Sequence, residues 1–138
     1  MKLTRVVTDN ITELLLKVVE FTRRRHEILA RNIQHMHRPG FLPQDLPVDQ
    51  FSELLAAALH EHIRAGRLVL CDTESVKFGT NGAFQARPIC DTYASELFQH
   101  NQDEYLELQI EKLLENSLNL RIATQLLKQQ QTVVSVFE

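Results

Sequence analysis

The chain has 138 residues, of which 43% are hydrophobic and 24% charged, and its formal net charge at pH 7 is -3. This length predicts a single cooperative domain, and the composition is that of an ordinary globular chain. The negative balance argues against nucleic acid as a partner, because a phosphate backbone is bound by an excess of Lys and Arg. No apolar run reaches the ~20 residues of a membrane span, and the N-terminus has no signal-peptide pattern, so we expect no membrane insertion and no cleaved leader.

The first predicted element is a long helix within residues 1–40. Asn10 and Glu13 have capping-box spacing, which predicts a helix start near residue 9 or 10. Pro39 and Gly40 predict a stop within a turn of His37. Between these signals, apolar positions alternate in steps of four and three, which predicts a continuous seam for a partner helix. The seam consists of Leu15, Val19, Thr22, His26, Leu29, Ile33 and Met36.

The middle segment, residues 41–100, has a mixed pattern. Pro43 and Pro47 predict an extended connector, and Asp49 as N-cap with Gly66 at the end predicts a short amphipathic helix over about 49–65. Residues 67–71 can form a strand, and Asn81-Gly82 favours a β-hairpin within 67–90, followed by a helical turn over 92–100. The apolar face of the short helix would carry Phe51, Leu54, Leu55, Ala58, Leu59 and Ile63.

A second long helix is predicted over residues 101–138, because Asn101 and Glu104 repeat the capping-box spacing. We expect a mainly α fold in which the two long terminal helices pack antiparallel in a coiled-coil-like pair, with the short helix and a small irregular or β-hairpin insert between them. The predicted seam of this last helix is Leu106, Ile110, Leu113, Ser117, Leu120, Thr124, Leu127, Gln131 and Val134, widened by Leu114, Leu118, Ile122 and Leu126.

Groups that could carry chemistry are sparse. The pairs His60/His62 and His35/His37 are spaced by two, so on a helix their members diverge by about 200°, and no metal site is expected. His26 is expected as a hydrogen-bonded residue at a helix interface. Cys71 and Cys90 lack a CxxC partner, and we interpret them as small buried hydrophobes rather than a disulfide. No catalytic constellation or cofactor motif is present, so we expect neither an enzyme nor a cofactor.

Two stretches together resemble a known family. The segment Ile28 to Ile33 followed by Pro39-Gly40-Phe41 is similar to the N-terminal signature of bacterial flagellar rod and hook proteins, in which a Leu-Ala-x-Asn-Ile helix runs into a Pro-Gly-aromatic stop. The segment Glu115 to Leu118, followed by Ala123 to Leu127, resembles the C-terminal helix of the basal-body rod proteins of the FlgB type. The sequence departs from the family at Gln34, His35 and Arg38, and at Leu120, where the family has tyrosine.

The resemblance implies a structural subunit of the proximal rod. Such subunits assemble through their terminal helices with copies of themselves and with other flagellar axial proteins, and they reach the periplasmic rod uncleaved through the flagellar type III export apparatus. Two alternatives stay open: a helical adaptor or export chaperone that binds an amphipathic partner helix, and a small enzyme with a site within 67–100. The residues assigned to assembly and packing are Leu15, Val19, Leu29, Asn32, Ile33, Pro39, Gly40, Leu113, Asn116, Leu118, Leu120, Leu126 and Leu127.

Overall fold

A computed structural model describes residues 2–79 and 84–137, with the side chains of 10–79 and 84–130. The described residues form four helices and four two-residue strands. In chain order they are α1 (Lys2–Gln34), β1 (Gln44–Asp45), α2 (Val48–Ala65), β2 (Val76–Lys77), β3 (Gln85–Ala86), β4 (Ile89–Cys90), α3 (Thr92–His100) and α4 (Gln102–Phe137). The two long terminal helices pack against each other, which confirms the mainly helical prediction.

Helix α1 begins earlier than the sequence predicted. It starts at Lys2, so the expected capping box at Asn10 is wrong. The Asn10 side chain instead reaches α2, where its Nδ2 lies 3.1 Å from Nδ1 of His62 and donates to the carbonyl of Gly66. The predicted stop is confirmed, because the helix ends at Gln34 and Gly40 adopts a positive φ of 74° in the turn that follows.

Helix α2 has the predicted end but a different beginning. Gly66 has a left-handed φ of 68°, and its N–H donates to the carbonyl of His62, as predicted for a C-terminal glycine. Pro47, not Asp49, occupies the N-cap position, and no side chain caps the helix. Asp49 lies in the first turn, where a carboxylate still interacts favourably with the helix dipole. The predicted apolar face is wrong at its end, because Leu59 and Ile63 are exposed and His62 is buried instead.

The strands form two small antiparallel pairs. β2 pairs with β3 in the register Val76 to Ala86, which confirms a hairpin within 67–90, although its Asn81-Gly82 turn lies outside the described residues. β1 pairs with β4, and this pairing joins the connector after α1 to the segment before α3. Within the described ranges, residues 67–71 form no strand, so that expectation is wrong.

The start signals of the last two helices come from side chains. Asp91 accepts a hydrogen bond from the amide of Ala94 and caps α3, which is a full helix of nine residues rather than the single turn expected. Oδ1 of Asn101 accepts from the amides of Asp103 and Glu104, which confirms the predicted N-cap of α4. The final seam positions Gln131 and Val134 have side chains outside the described set.

The largest apolar cluster is aromatic and packs α1 against α2 and the hairpin. The rings of Phe21 and Phe51 stack in parallel with centroids 4.0 Å apart, and Phe78 and Phe84 pack around Phe51 at 6.3 and 5.9 Å. The hairpin is therefore attached to the helices by aromatic packing rather than by a continuous sheet. Burial of such rings stabilises a domain by about 1.5 to 3 kcal/mol each.

The left-handed conformation of Gly66 gives a direct test of the α2 end. A Cβ at this position would meet no atom within 4 Å, so only backbone strain opposes a side chain. We expect Gly66→Ala to lower the free energy of unfolding by about 1 kcal/mol, and Gly66→Asn to lower it less, because Asn tolerates this conformation better. Urea unfolding measures both, and equal stability of Gly66→Ala and the parent would contradict the assignment.

Candidate functional site

The inner contact between α1 and α4 contains a balanced cluster of four charges. Nε and Nη2 of Arg25 on α1 donate to the two carboxylate oxygens of Asp45 at 2.8 and 3.0 Å. Nζ of Lys112 on α4 donates to Asp45 at 3.2 Å and to Asp91 at 2.6 Å. Arg25 and Asp45 are buried. Because every charge has an opposite partner, the cluster can be removed from water, and it ties α1, β1, α4 and the cap of α3 together.

The cluster sets the protonation of its central carboxylate. Burial alone raises the pKa of Asp45, but the hydrogen bond and positive charge of Arg25, the charge of Lys112 and the amide of Leu46 outweigh burial, and the net pKa lies below its ordinary value of 3.8. Burial, together with the negative charge of Asp91, raises the pKa of Tyr105 to about 12. At neutral pH Asp45 is therefore ionised and the Tyr105 hydroxyl keeps its proton.

A second polar node surrounds Asn32. Its side chain donates to the carbonyl of Gln44 at 2.7 Å and accepts from the Gln44 amide at 3.1 Å, so it pairs with β1 as a backbone strand would. Nδ2 of Asn32 also donates to Oε1 of Gln109, and the Tyr105 hydroxyl donates to the Asn32 carbonyl at 2.7 Å. The Asn of the family-like motif is thus a bridge between α1, the connector and α4 within one copy.

Further along the pair, Nδ2 of Asn116 donates to the carbonyl of Thr22 at 2.7 Å. Thr22 pairs with Asn116 and Asn32 with Gln109, so the contacts run in opposite order along the two helices. Nε2 of Gln109 is buried without a hydrogen-bond partner. The Asn32–Gln109 and Asn116–Thr22 contacts are both buried. Each specifies one register of α4 against α1, because a shift of one helix along the other would leave further polar groups unpaired.

The predicted seam of α4 is therefore displaced by one residue. Ile110 and Ser117 are exposed, whereas the side chains that face α1 lie one position earlier, which rotates the buried face by about 100°. Leu106, Leu113, Leu120 and Leu127 are half-buried at its flank. The inner face is Tyr105, Gln109, Lys112, Asn116 and Ala123, all buried except the half-buried Lys112.

The rotation leaves exposed an apolar stripe that winds from one flank of α4 across the side opposite α1 to the other flank, because residues four apart advance by about 40° around a helix. We call this the outer stripe: its members are four residues apart, and all are large and aliphatic. Leu114 and Leu118, at its centre, are 67% and 57% exposed. The sequence predicted that these side chains widen the seam of the last helix, and the structure places them on its exposed side. The outer stripe consists of Ile110, Leu114, Leu118, Ile122 and Leu126.

The C-terminal end of the outer stripe continues into a groove. Ile122 and Leu126 line a cavity of about 300 Å³ between α1, α2 and α4, together with Val18 and Leu55. Polar groups also line it, including those of Arg25 and Asn119. The groove is shaped for apolar side chains and contains no cluster of titratable groups suited to catalysis.

The other predicted assembly residues divide into buried and exposed sets. On α1, Val19 and Leu29 are buried in the monomer, and Leu15 and Ile33 are half-buried. Pro39 and Gly40 are exposed in the turn after α1.

The candidate chemical groups are dispersed. His26 is exposed rather than placed at a helix interface, and His60 is exposed while His62 is buried against Asn10. Cys71 and Cys90 are both exposed free thiols, which corrects the expectation that they are buried. Among the described side chains, no three His, Cys, Asp or Glu residues are placed to hold a metal ion.

The arrangement as a whole presents surfaces for packing. No helix among the described residues is long and apolar enough to cross a membrane. Comparisons with protein-family models, with curated proteins and with solved structures gave no match.

The ionic cluster was missed by sequence reasoning for a physical reason. Arg25 is the last of three consecutive basic residues, a pattern typical of a solvated face, and Arg23 and Arg24 are exposed. Asp45 and Asp91 lie in connectors, where acidic residues are common. The one available signal was that Arg25 falls four residues after Phe21 and three before Ile28, which places it on the buried face.

The Asp45 cluster predicts an acid-dependent loss of stability. We expect Asp45→Asn to lower the free energy of unfolding at pH 7 by about 3 kcal/mol, because Arg25 and Lys112 lose a buried counter-charge. Because the folded pKa of Asp45 lies below 3.8, its contribution is fully present above that pH and is lost as pH falls through the folded value. Urea unfolding at pH 7, at pH 5 and below pH 3.8 should show that the free energies of unfolding of the parent and of Asp45→Asn approach each other only below pH 3.8. A difference in the free energy of unfolding that stays the same at all three pH values would exclude the Asp45 charge as its source.

Proposed function

We propose that this chain is a structural subunit of the bacterial flagellar basal-body rod, of the FlgB type. In this proposal α1 and α4 form an antiparallel coiled-coil-like unit that stacks with copies of itself and with other axial proteins. The protein would reach the periplasmic rod without cleavage through the flagellar type III export apparatus. No enzymatic activity and no cofactor are part of the proposal.

The observation that carries the proposal is the outer stripe. A surface helix in a monomer normally presents polar residues to water, yet α4 presents Leu114 and Leu118 directly opposite its packed face. A long helix that is packed on one side and apolar on the opposite, exposed side is suited to a position between neighbours. That is the requirement placed on a terminal helix inside a multi-subunit rod.

The residues that resemble the family support the same proposal. Asn32 and Asn116, one from each signature, both lie in the buried polar contact between α1 and α4. Leu118 and Leu126, from the C-terminal signature, lie in the outer stripe. Asn32 and Asn116 would thus hold the helix pair together, and Leu118 and Leu126 would present it to the next subunit.

An adaptor or export chaperone is the second candidate, and the groove between α1, α2 and α4 favours it. A cavity of about 300 Å³ lined by Val18, Leu55 and Ile122 can receive the apolar side chains of a partner helix. The two candidates differ in where the protein ends up. A rod subunit stays with purified basal bodies through detergent and salt washes, whereas an adaptor stays in the soluble fraction.

The rod proposal predicts the effect of a charge in the outer stripe. In the bacterium that carries the gene, we expect the tagged protein to co-purify with basal bodies and Leu118→Asp to abolish both co-purification and swimming. The substitution should change the free energy of unfolding by only about 0.5 kcal/mol, because Leu118 is exposed in the monomer. Immunoblots of purified basal bodies and swimming assays measure the outcome.

The matched control is Gln102→Asp, which adds the same charge at the exposed N-terminal end of α4, away from the outer stripe. This variant should assemble and swim like the parent. Normal motility with Leu118→Asp, or a tagged protein found only in the soluble fraction, would contradict the rod proposal. The second of these results would favour the adaptor.

A further inference from the structure

The outer stripe has chemistry that fits a specific partner. Its central side chains, Leu114 and Leu118, point away from α1, and the stripe runs along α4 for five successive positions spaced by four. We propose that two copies of this chain pair in solution through their outer stripes, with the two α4 helices antiparallel and a twofold axis near Leu118. The proposal concerns the purified chain, and it holds or fails independently of the rod proposal.

The apolar area is sufficient for a weak pair. Leu114 and Leu118 are 67% and 57% exposed, and Ile110 and Ile122 beside them are each 49% exposed, which leaves roughly 400 Å² on each copy and about 800 Å² for a symmetric contact, whereas Leu126 turns toward the groove. That value lies below the range of stable interfaces, so the pair would be weak and reversible. An exchangeable dimer, rather than a permanent one, is what this area supports.

The distribution of exposed apolar residues favours the outer stripe of a second copy as the surface that covers the outer stripe. Among the described side chains of α1, Leu16 is the exposed large hydrophobic residue, and its neighbours on the outer face are charged, such as Arg23 and Glu27. On α2, Leu59 and Ile63 form only a short patch. Among the described helices, α4 has the longest run of exposed large hydrophobic residues, so a second outer stripe is the best-matched apolar complement.

The charges along α4 decide the direction. Its first half carries five exposed acidic residues, while its one basic residue, Lys112, is engaged in the ionic cluster. Between residues 116 and 130 the charged residues are Arg121 and Lys128, both basic. A parallel pair would place acidic half against acidic half, whereas an antiparallel pair places each acidic half against a basic one. The acidic residues are Asp103, Glu104, Glu107, Glu111 and Glu115.

A twofold axis near Leu118 makes the contact self-complementary. Leu118 then lies opposite the same residue of the second copy, and Glu111 lies opposite Gln125. Glu111 and Gln125 are exposed and flank the stripe, each next in sequence to one of its end members, Ile110 and Leu126. Cysteines at these two positions can therefore report the direction of pairing while leaving the apolar side chains in place.

Sedimentation equilibrium tests whether the pair exists. The full chain, with 16.0 kDa per copy, should approach twice that mass as its concentration rises. Leu118→Asp should raise the dimer dissociation constant at least tenfold, because a charge would be buried at the centre of the contact, while Gln102→Asp should leave the constant unchanged. Added NaCl should weaken the dimer. A monomer at all concentrations, or a dimer insensitive to Leu118→Asp, would overturn the proposal.

Cross-linking tests the direction. In a chain with Cys71→Ser and Cys90→Ser, a mixture of Glu111→Cys and Gln125→Cys should be joined by a short bismaleimide, and neither variant should cross-link with itself. Self-cross-linking of Glu111→Cys would show a parallel pair and overturn the antiparallel proposal. Cross-linking of Glu111→Cys to Arg24→Cys, and not to Gln125→Cys, would show that α1 of the second copy is the occupant and would also overturn it.

Discussion

The fold depends on the buried polar contact between the two terminal helices. Asp45 lies at its centre, where it accepts hydrogen bonds from Arg25 on α1 and Lys112 on α4. A buried ion pair adds little net stability compared with apolar packing, but removing one partner is costly. Its main effect is therefore to specify one arrangement. Asn32 and Asn116 act in the same way, since Asn32 donates to the Gln109 side chain on α4 and Asn116 donates to the Thr22 carbonyl on α1, and only one register provides both bonds.

This choice of register explains the outer surface of the molecule. Because Gln109, Lys112 and Asn116 must face α1, the apolar residues that follow them are turned to the flank or to the outside. Leu114 and Leu118 are exposed because polar side chains occupy the position they would otherwise take. The helix pair is thus closed by polar bonds on its inner side and left apolar on its outer side. This division is what both the proposed rod function and the proposed pairing of two copies would require.

The sequence predicted where the helices lie better than it predicted which of their faces are buried. Pro39, Gly40, Gly66 and Asn101 act locally, through backbone conformation and short-range hydrogen bonds, and each marks a helix end as expected. The inner face of α4 could not be predicted, because two periodic patterns coexist one residue apart on this helix. The apolar pattern is the visible one. The polar pattern is selected only by partners such as Asn32 and Asp45, which are distant in sequence and whose positions depend on the fold.

Thiol reactivity at two positions of α4 measures most directly which side of this helix faces outward. In a chain with Cys71→Ser and Cys90→Ser, at concentrations too low for pairing, a thiol at Leu118→Cys should react as a freely exposed group. A thiol at Ala123→Cys should react at least about a hundredfold more slowly, because Ala123 is 2% exposed on the inner face and reacts only when the helices open. Equal rates, or faster reaction at position 123, would contradict the account.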